Sequence, residues 1–298
     1  MIREGDPIRG APRELTPHYV EVRSPAAFWV AGRECAEAIA RGQADFLFEE
    51  RPRAPLEEGS GRGGLSRFTL AGKAAVGKRA LRGGLFGPLL GGLYLGSRRA
   101  LGQVWTSDRL RSAGVATPEI LAAGTGRVLG PLRAHAIVNR ELPGARNLLE
   151  LAGEAPGPPL RRQILLECAG LLRRMHEAGF LHADLNAGNL VLERGAGMPV
   201  LNVVDLDRGR FLPAVSPRQR FRNLARLLRS YEKWIAPRLR LSRREEFLFL
   251  RCYAGRDRAL LRRLVTSLSR YRSRLGPRRI RWRHAVRRSK DRLAGPLQ

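Results

Sequence analysis

The chain has 298 residues, 43% hydrophobic and 28% charged, a composition that indicates a folded protein long enough for two lobes or domains. Lysine and arginine number 55 against 27 acidic residues, so the net charge is +28 and we expect an anionic partner: nucleic acid, an acidic membrane surface or a phosphorylated glycolipid. Three widely spaced cysteines suggest neither a disulfide framework nor a metal cluster, and no signal peptide or run of roughly 20 apolar residues is present, which predicts a cytosolic protein.

The first 58 residues show no recognisable chemistry. Residues 1 to 20 have no clear period and predict an irregular lead-in. Beyond them, Tyr19–Arg23 and Asp45–Glu49 are predicted as short strands around a helix at Arg33–Ile39. We interpret these segments as a small extra element ahead of a catalytic body.

A glycine-rich segment precedes two predicted strands. Gly59, Gly61 and Gly64 form G-x-G-x-x-G, followed by the strand-like L-S-R-F-T-L, a turn and the strand-like A-A-V-G-K. This is the hairpin context of a kinase nucleotide loop, because dinucleotide folds place a strand before these glycines and a helix after them. A glycine-rich turn alone is commoner than a phosphate site. However, Lys78 ends the second strand, where a kinase places its phosphate-binding lysine, so we predict nucleotide contacts for all four residues.

A helix is predicted at Arg98–Ala113, after an uncharged, glycine-rich loop at Gly83–Ser97. A kinase carries a glutamate on this helix to pair with the lysine. The corresponding position here holds Gln103, which can accept a hydrogen bond from Lys78 but offers no charge. Strands predicted at 117–123 and 135–140 would complete a small lobe.

The stretch H-A-D-L-N-A-G-N follows the clearest predicted helix, Leu160–Ala178. His182, Asp184 and Asn189 have the H-x-D-x-x-x-x-N spacing of a kinase catalytic loop. In that pattern the aspartate accepts the proton of the acceptor hydroxyl, while the asparagine holds Mg²⁺. We predict that His182 supports the loop by hydrogen bonds rather than acting as a base.

The carboxylate of Asp205 is the second predicted metal ligand. Asp and Asn between apolar runs usually mark turns, so the loop motif alone is weak. Here Leu190–Leu192 and Val200–Val204 are predicted strands of one hairpin, which would bring Asn189 and Asp205 together at its end. A carboxylate and an amide oxygen at one place suit Mg²⁺ bound to phosphates.

Two basic regions follow. A helix is predicted to begin at Ser216 and Pro217 and to continue through F-R-N-L-A-R-L-L-R-S-Y-E-K-W, with its arginines interpreted as a solvated face. Residues 256–298 contain fifteen Lys or Arg and two Asp, a net +13. This segment is either a solvated basic end or a contact with an anionic membrane surface.

These motifs together resemble the lipopolysaccharide core kinase family of the Kdo/WaaP type, and within it the 3-deoxy-D-manno-octulosonic acid (Kdo) kinases. The resemblance runs from about Gly59 to Ser230 and is carried by G-R-G-G, L-R-G-G-L, E-L-P-G-A, M-H-E-A-G, H-A-D-L-N-A-G-N, V-D-L-D-R-G-R and N-L-A-R-L-L-R-S. It implies an α+β, protein-kinase-like fold, with a small mostly antiparallel β lobe and a larger helical lobe. The implied cofactors are ATP and Mg²⁺.

The resemblance also implies the partners and the location. The acceptor would be a sugar hydroxyl of the bacterial lipopolysaccharide inner core, on Kdo attached to lipid A, and the enzyme would lie on the cytoplasmic face of the inner membrane. DNA is not an expected partner. We expect a lead-in at 1–58, a small lobe at 59–142, a large lobe at 143–255 and a basic segment at 256–298.

Three other functions stay open at this point. A heptose kinase of the same pathway would share the catalytic residues. An RNA- or ribosome-associated Ser/Thr kinase would use the same positive charge, with RNA as its partner. A non-catalytic pseudokinase is consistent with Gln103 in place of glutamate, although the presence of Lys78, Asp184, Asn189 and Asp205 together argues against it.

Overall fold

In the computed structural model the chain forms two compact units, residues 1–143 and 144–298. The structure describes residues 17–49, 65–79, 93–95, 98–129, 132–194, 199–207 and 209–273. The three glycines of the predicted nucleotide loop lie outside these ranges, as does most of the predicted loop at 83–97.

The first unit contains one antiparallel sheet of seven strands. They are β1 (Tyr19–Arg23), β2 (Ala27–Gly32), β3 (Leu65–Leu70), β4 (Lys73–Arg79), β5 (Leu93–Leu95), β6 (Ile120–Leu129) and β7 (Leu132–Arg140). The strand order is β1-β2-β6-β7-β4-β3, and β5 pairs with β7. The predicted hairpin of β3 and β4 is confirmed, with Leu65 opposite Lys78.

Hydrophobic clusters pack on both faces of this sheet. Successive strand residues point to opposite faces, so neighbours in one strand belong to different clusters. Trp29 belongs to a core cluster with Ile39, on the helix α1 (Ala36–Ala40). Its neighbour Val30 belongs to a second cluster with Val104, on the helix α2 (Arg98–Ser112). The predicted helix at 98–113 is therefore confirmed, and it covers one face of the sheet.

The strand predicted at Asp45–Glu49 is wrong, since Asp45–Phe48 forms a 3-10 helix. Phe46, Leu47 and Phe48 all pack against the cluster that contains Trp29, whereas a strand would have turned one of them away. The Asp45 carboxylate fixes the start of this turn, because it accepts hydrogen bonds from the Ser24 hydroxyl (2.6 Å) and the Ala26 amide (3.0 Å).

Strand β2 was not predicted from the sequence. Its residues A-F-W-V-A-G are almost all apolar, so they lack the alternation that identifies a half-buried strand. Through β2, the amino-terminal hairpin extends the sheet by pairing with β6, from Ala27 opposite Gly126 to Ala31 opposite Ala122. Residues 19–32 thus belong to the same sheet as Lys78.

The second unit is mainly helical. Its helices are α3 (Leu148–Gly153), α4 (Pro158–Glu177), α5 (Pro217–Ser230), α6 (Arg243–Ala254) and α7 (Arg258–Ser273), with a π-helical turn at Tyr231–Ile235. Its short strands are β8 (Arg146–Asn147), β9 (Phe180–Leu181), β10 (Leu190–Glu193), β11 (Val200–Val203) and β12 (Arg210–Phe211). They form the sheets β11-β10-β8 and β12-β9.

Two predicted helices of this unit are confirmed. Helix α4 agrees with the predicted helix at 160–178, and the chain leaves it through Gly179 at a φ of 82°. Helix α5 begins at Pro217 with Ser216 as its N-cap, in a capping box with Gln219. After Ser230 the chain continues as a π-helical turn at Tyr231–Ile235, in place of the α-helix predicted there.

The basic segment predicted at 256–298 begins as helix α7, which contacts α5 and α6 and buries Leu260 and Leu264. Residues 256–273 therefore belong to the second unit, and 274–298 lie outside the described residues. Among the described helices, none is long and apolar enough to cross a membrane. Cys35, Cys168 and Cys252 are free thiols.

Candidate active site

The hairpin of β10 and β11 brings two of the predicted metal ligands together. Leu190 lies opposite Val203, and beyond this pair the Val204 amide donates to the Asn189 carbonyl over 3.0 Å. Asp205 is the next residue, so it lies one position beyond the main-chain hydrogen bond between Val204 and Asn189. The hairpin predicted from the sequence is confirmed, and it places an amide and a carboxylate at one end.

The loop before β10 is held by His182. This buried imidazole accepts a hydrogen bond at Nδ1 from the Asp184 amide (3.1 Å) and donates from Nε2 to the Val204 carbonyl (3.0 Å). Burial lowers the pKa of His182, and the hydrogen bond to Val204 acts in the opposite direction. The neutral His182 ring therefore links Asp184 to Val204, the residue before Asp205. These hydrogen bonds agree with the predicted role of His182 as a support for the loop.

The carboxylate of Asp184 is exposed and directed by amide side chains. Asn186 donates to its Oδ2 atom over 3.1 Å, and the Asn189 side chain donates to its main-chain carbonyl over 2.8 Å. Because the Asn189 nitrogen is used in this way, its side-chain oxygen is left for another ligand. An oriented, solvent-accessible carboxylate next to an amide oxygen is suited to accept a hydroxyl proton beside a cation.

Asp205 has an unusual main-chain conformation. Its φ is 59°, in the left-handed region that residues other than glycine rarely adopt. Such a conformation costs about 1–3 kcal/mol and persists where the surrounding structure imposes it, most often at functional sites. This strained residue lies just after β11, and its side chain is exposed. The residue before it, Val204, is held by main-chain hydrogen bonds to the His182 ring and to the Asn189 carbonyl.

A buried polar network joins three helices to this loop. The Asn223 side chain on α5 donates to the His182 carbonyl (2.8 Å) and accepts from His176 Nε2 on α4 (3.0 Å). The Tyr253 hydroxyl on α6 donates to His176 Nδ1 (2.6 Å). Burial lowers the pKa of His176 to about 4, so this imidazole is neutral near pH 7.

Sequence reasoning missed Asn223, Tyr253 and a further contact, from the Arg226 guanidinium to the Ala183 carbonyl. Ala183 occupies the position of the arginine in the H-R-D form of the kinase motif. Two signals were present in the sequence: the motif N-L-A-R-L-L-R-S, which contains Asn223 and Arg226, and the place of Asn223 as a polar residue on an apolar helix face between Phe221 and Leu224.

Two of the predicted nucleotide-binding residues are described in the first unit, Lys78 on strand β4 and Gln103 on helix α2. Lys78 is opposite Ile137 of β7, and residues opposite each other in an antiparallel pair project from the same face. Ile137 packs with Val104 of α2, so Lys78 projects from the sheet face that α2 covers. Gln103 precedes Val104 on that helix. Gly59, Gly61 and Gly64 lie outside the described residues.

Known kinases of one family are similar to this chain. The lipopolysaccharide kinase (Kdo/WaaP) family profile matches residues 47–253. The 3-deoxy-D-manno-octulosonic acid kinase of Photobacterium damsela subsp. piscicida is 31% identical over 59% of this chain and 72% of that protein. That of Stenotrophomonas maltophilia (strain R551-3) is 35% identical over 60% of this chain and 70% of its own.

A solved structure described as WaaP in complex with acyl carrier protein has a similar fold. It matches with a TM-score of 0.55 and 24% identity, over 81% of this chain and 94% of that one. An antiparallel sheet in the first unit and a helical second unit agree with the predicted α+β, protein-kinase-like fold. The chain belongs to the lipopolysaccharide kinase (Kdo/WaaP) family and is a kinase, for which the family implies ATP as the phosphoryl donor.

Proposed function

We propose that this kinase phosphorylates a sugar hydroxyl of the lipopolysaccharide inner core, on Kdo attached to lipid A. The observation that carries the proposal is the convergence of Asp184, Asn189 and Asp205 at the end of the β10–β11 hairpin. The similarity to Kdo kinases supports the choice of acceptor over a heptose.

The side chains at this place fit Mg²⁺. Mg²⁺ in phosphoryl-transfer sites usually takes one or two carboxylates from the protein and completes its shell with phosphate oxygens and water. The Asp205 carboxylate and the Asn189 amide oxygen would hold it, and when bound it would neutralise charge on the transferred phosphoryl group. In the first unit, Lys78 would bind phosphate oxygens, with Gln103 as its neutral neighbour and Gly59, Gly61 and Gly64 supplying main-chain N–H groups.

In the reaction, Asp184 orients the acceptor hydroxyl and accepts its proton as the oxygen bonds to the γ-phosphorus. The bond from this phosphorus to the bridging oxygen breaks, and ADP leaves with that oxygen. His182 keeps the Asp184 amide in place as a neutral ring, so the proton moves to the exposed carboxylate and not to the imidazole.

The enzyme is further proposed to act at the cytoplasmic face of the inner membrane. The net charge of +28 and the nine Lys or Arg residues after Ser273 support attraction to an anionic surface.

Mass spectrometry of defined acceptors tests the function. The protein with Mg-ATP should add one phosphate to a Kdo-bearing lipid A precursor and none to the same precursor without Kdo. Phosphate gain only on heptose-bearing acceptors would make it a heptose kinase. Transfer to ribosomal protein, or to no acceptor at all, would reject the proposed function.

A further inference from the structure

The exposed face of helix α5 consists of arginine alone. Four of its fourteen residues are exposed, and they are Arg218, Arg222, Arg226 and Arg229. Spacings of four, four and three residues place these side chains within about 80° of the helix circumference. We refer to these four residues as the arginine stripe.

The arginine stripe has no acidic partners within the described part of the chain. Helix α5 contains no Asp or Glu, and Arg218, Arg222 and Arg229 make no ion pair or hydrogen bond with any described residue. Some other described arginines do face carboxylates, as in the pairs Arg173–Glu177 and Arg161–Glu245, whereas the exposed Arg244 and Arg251 on α6 have no ion pair with a described residue.

Like charges four residues apart on a helix repel each other. An exposed face that only faces water normally mixes charges of both signs. A stripe of a single sign on α5 is therefore suited to bind an anion that the helix itself does not supply.

One residue of the arginine stripe, Arg226, contacts the catalytic loop. Arg226 donates to the Ala183 carbonyl, next to Asp184, and Asn223 of the same helix donates to the His182 carbonyl. From the rise of an α-helix, Arg222 lies about 6 Å and Arg218 about 12 Å from Arg226 along the axis. An acceptor whose hydroxyl reaches Asp184 would thus have its other groups close to these guanidinium groups.

We propose that the arginine stripe binds the phosphate and carboxylate groups of the acceptor itself and so selects an anionic glycolipid. Guanidinium groups suit this role because their planar N–H donors bind phosphate and carboxylate in pairs. The inference rests on the proposed function. It replaces the interpretation of these arginines as a solvated face. The stripe is assigned to the acceptor rather than to the membrane because it borders Asp184, the group that takes the acceptor's proton.

The double variant Arg222→Gln/Arg229→Gln tests the assignment, because it leaves Arg226 and the catalytic loop intact. Arg244→Gln/Arg251→Gln is the matched control, since these exposed arginines on α6 are also seven residues apart. Kinetics are measured with Kdo-bearing lipid A precursor in neutral detergent, with its lipid A phosphates present or removed, so that no membrane surface contributes. A thermal melt of each protein checks folding.

With the phosphorylated acceptor, the stripe variant should raise KM about tenfold, the scale of one charge-assisted hydrogen bond, with kcat changed less than about twofold. KM for ATP should stay constant, and the control variant should match the wild type. Removal of the lipid A phosphates should raise the wild-type KM and reduce the difference in KM between the wild type and the stripe variant.

Equal effects in the stripe and control variants would overturn the proposal in favour of a general attraction by positive charge. An unchanged KM accompanied by weaker binding to anionic liposomes would assign the stripe to the membrane, and weaker binding to RNA would assign it to nucleic acid. If the wild type phosphorylates none of the acceptors, the proposed function itself is wrong. If the wild type is active but the stripe variant has the same KM, only the role of the arginine stripe is wrong.

Discussion

The side-chain nitrogen of Asn189 donates to the main-chain carbonyl of Asp184 over 2.8 Å, which joins the proposed base to a proposed metal ligand. The same residue binds the Val204 amide through its own carbonyl. One asparagine thus fixes the spacing between Asp184 and the strand end that carries Asp205. The separate roles proposed for these two carboxylates can be distinguished by substitution.

For Asp184→Asn we expect nucleotide affinity to be retained and kcat to fall about 100- to 10,000-fold, the usual contribution of a general base. The substitution keeps the shape of the side chain and removes only its ability to accept a proton. ATP binding by calorimetry and steady-state kinetics measure the two properties. Equal losses of affinity and rate would instead make Asp184 a binding residue.

Asp205→Ala should abolish Mg-dependent ATP binding and reduce turnover by about a thousandfold or more, because the phosphate charge is left uncompensated. Asp205→Asn should show the same functional loss. Asparagine tolerates the φ of 59° better than alanine, so the alanine variant should be less stable by about 1 kcal/mol. Wild-type activity in either variant would contradict the metal-binding role.

Tyr253→Phe should lower the free energy of unfolding by about 1–3 kcal/mol, since His176 Nδ1 would lose its buried partner. Tyr271→Phe is the control, because the Tyr271 hydroxyl is buried with no hydrogen-bond partner in the described part of the chain. Its removal should be neutral or stabilising. Urea denaturation of both variants provides the comparison, and similar losses in the two would contradict a specific role of the Tyr253 bond.

The stability of the enzyme should decrease as the pH falls from 6.5 towards 4. His176 has a pKa of about 4 in the folded protein and 6.5 in the unfolded chain, so the unfolded state binds the extra proton in this range. The decrease from this residue is about 3 kcal/mol at most, and the lowered pKa of His182 acts in the same direction.

His176→Gln should be less stable than the wild type at neutral pH yet have a flatter dependence of unfolding free energy on pH. Denaturant unfolding at several pH values measures both slopes. Parallel curves for the two proteins would show that the acid sensitivity originates elsewhere.

The elements that position the site were largely predictable from local sequence. Apolar runs on either side of a turn predicted the β10–β11 hairpin, and helix α4 was predicted from its period and the glycine that ends it. The prediction failed at Asp45–Phe48 because tertiary packing of Phe46 and Phe48 overrode the strand pattern. The network of His176, Asn223 and Tyr253 was not predictable, since it joins residues 47 and 77 positions apart.

A chain shortened to end at Leu275 tests the role of the residues that follow helix α7. Helix α7 ends at Ser273, so the shortened chain keeps every described element of the second unit. It loses eight basic residues and one acidic residue from positions 276–298. Each basic residue near an anionic surface contributes on the order of 1 kcal/mol, so even a few contacts would hold the protein there reversibly.

The shortened chain should therefore bind anionic liposomes much more weakly than the full chain, while it keeps its activity on a soluble Kdo acceptor. Added salt should release the full chain, and liposomes of uncharged lipid should bind neither protein, because screening removes the attraction between exposed charges. Sedimentation with liposomes measures the binding. If the two proteins sediment equally with anionic liposomes, residues 276–298 are a solvated basic end, and the attachment must come from the acceptor-binding surface or from the segment Gly83–Ser97.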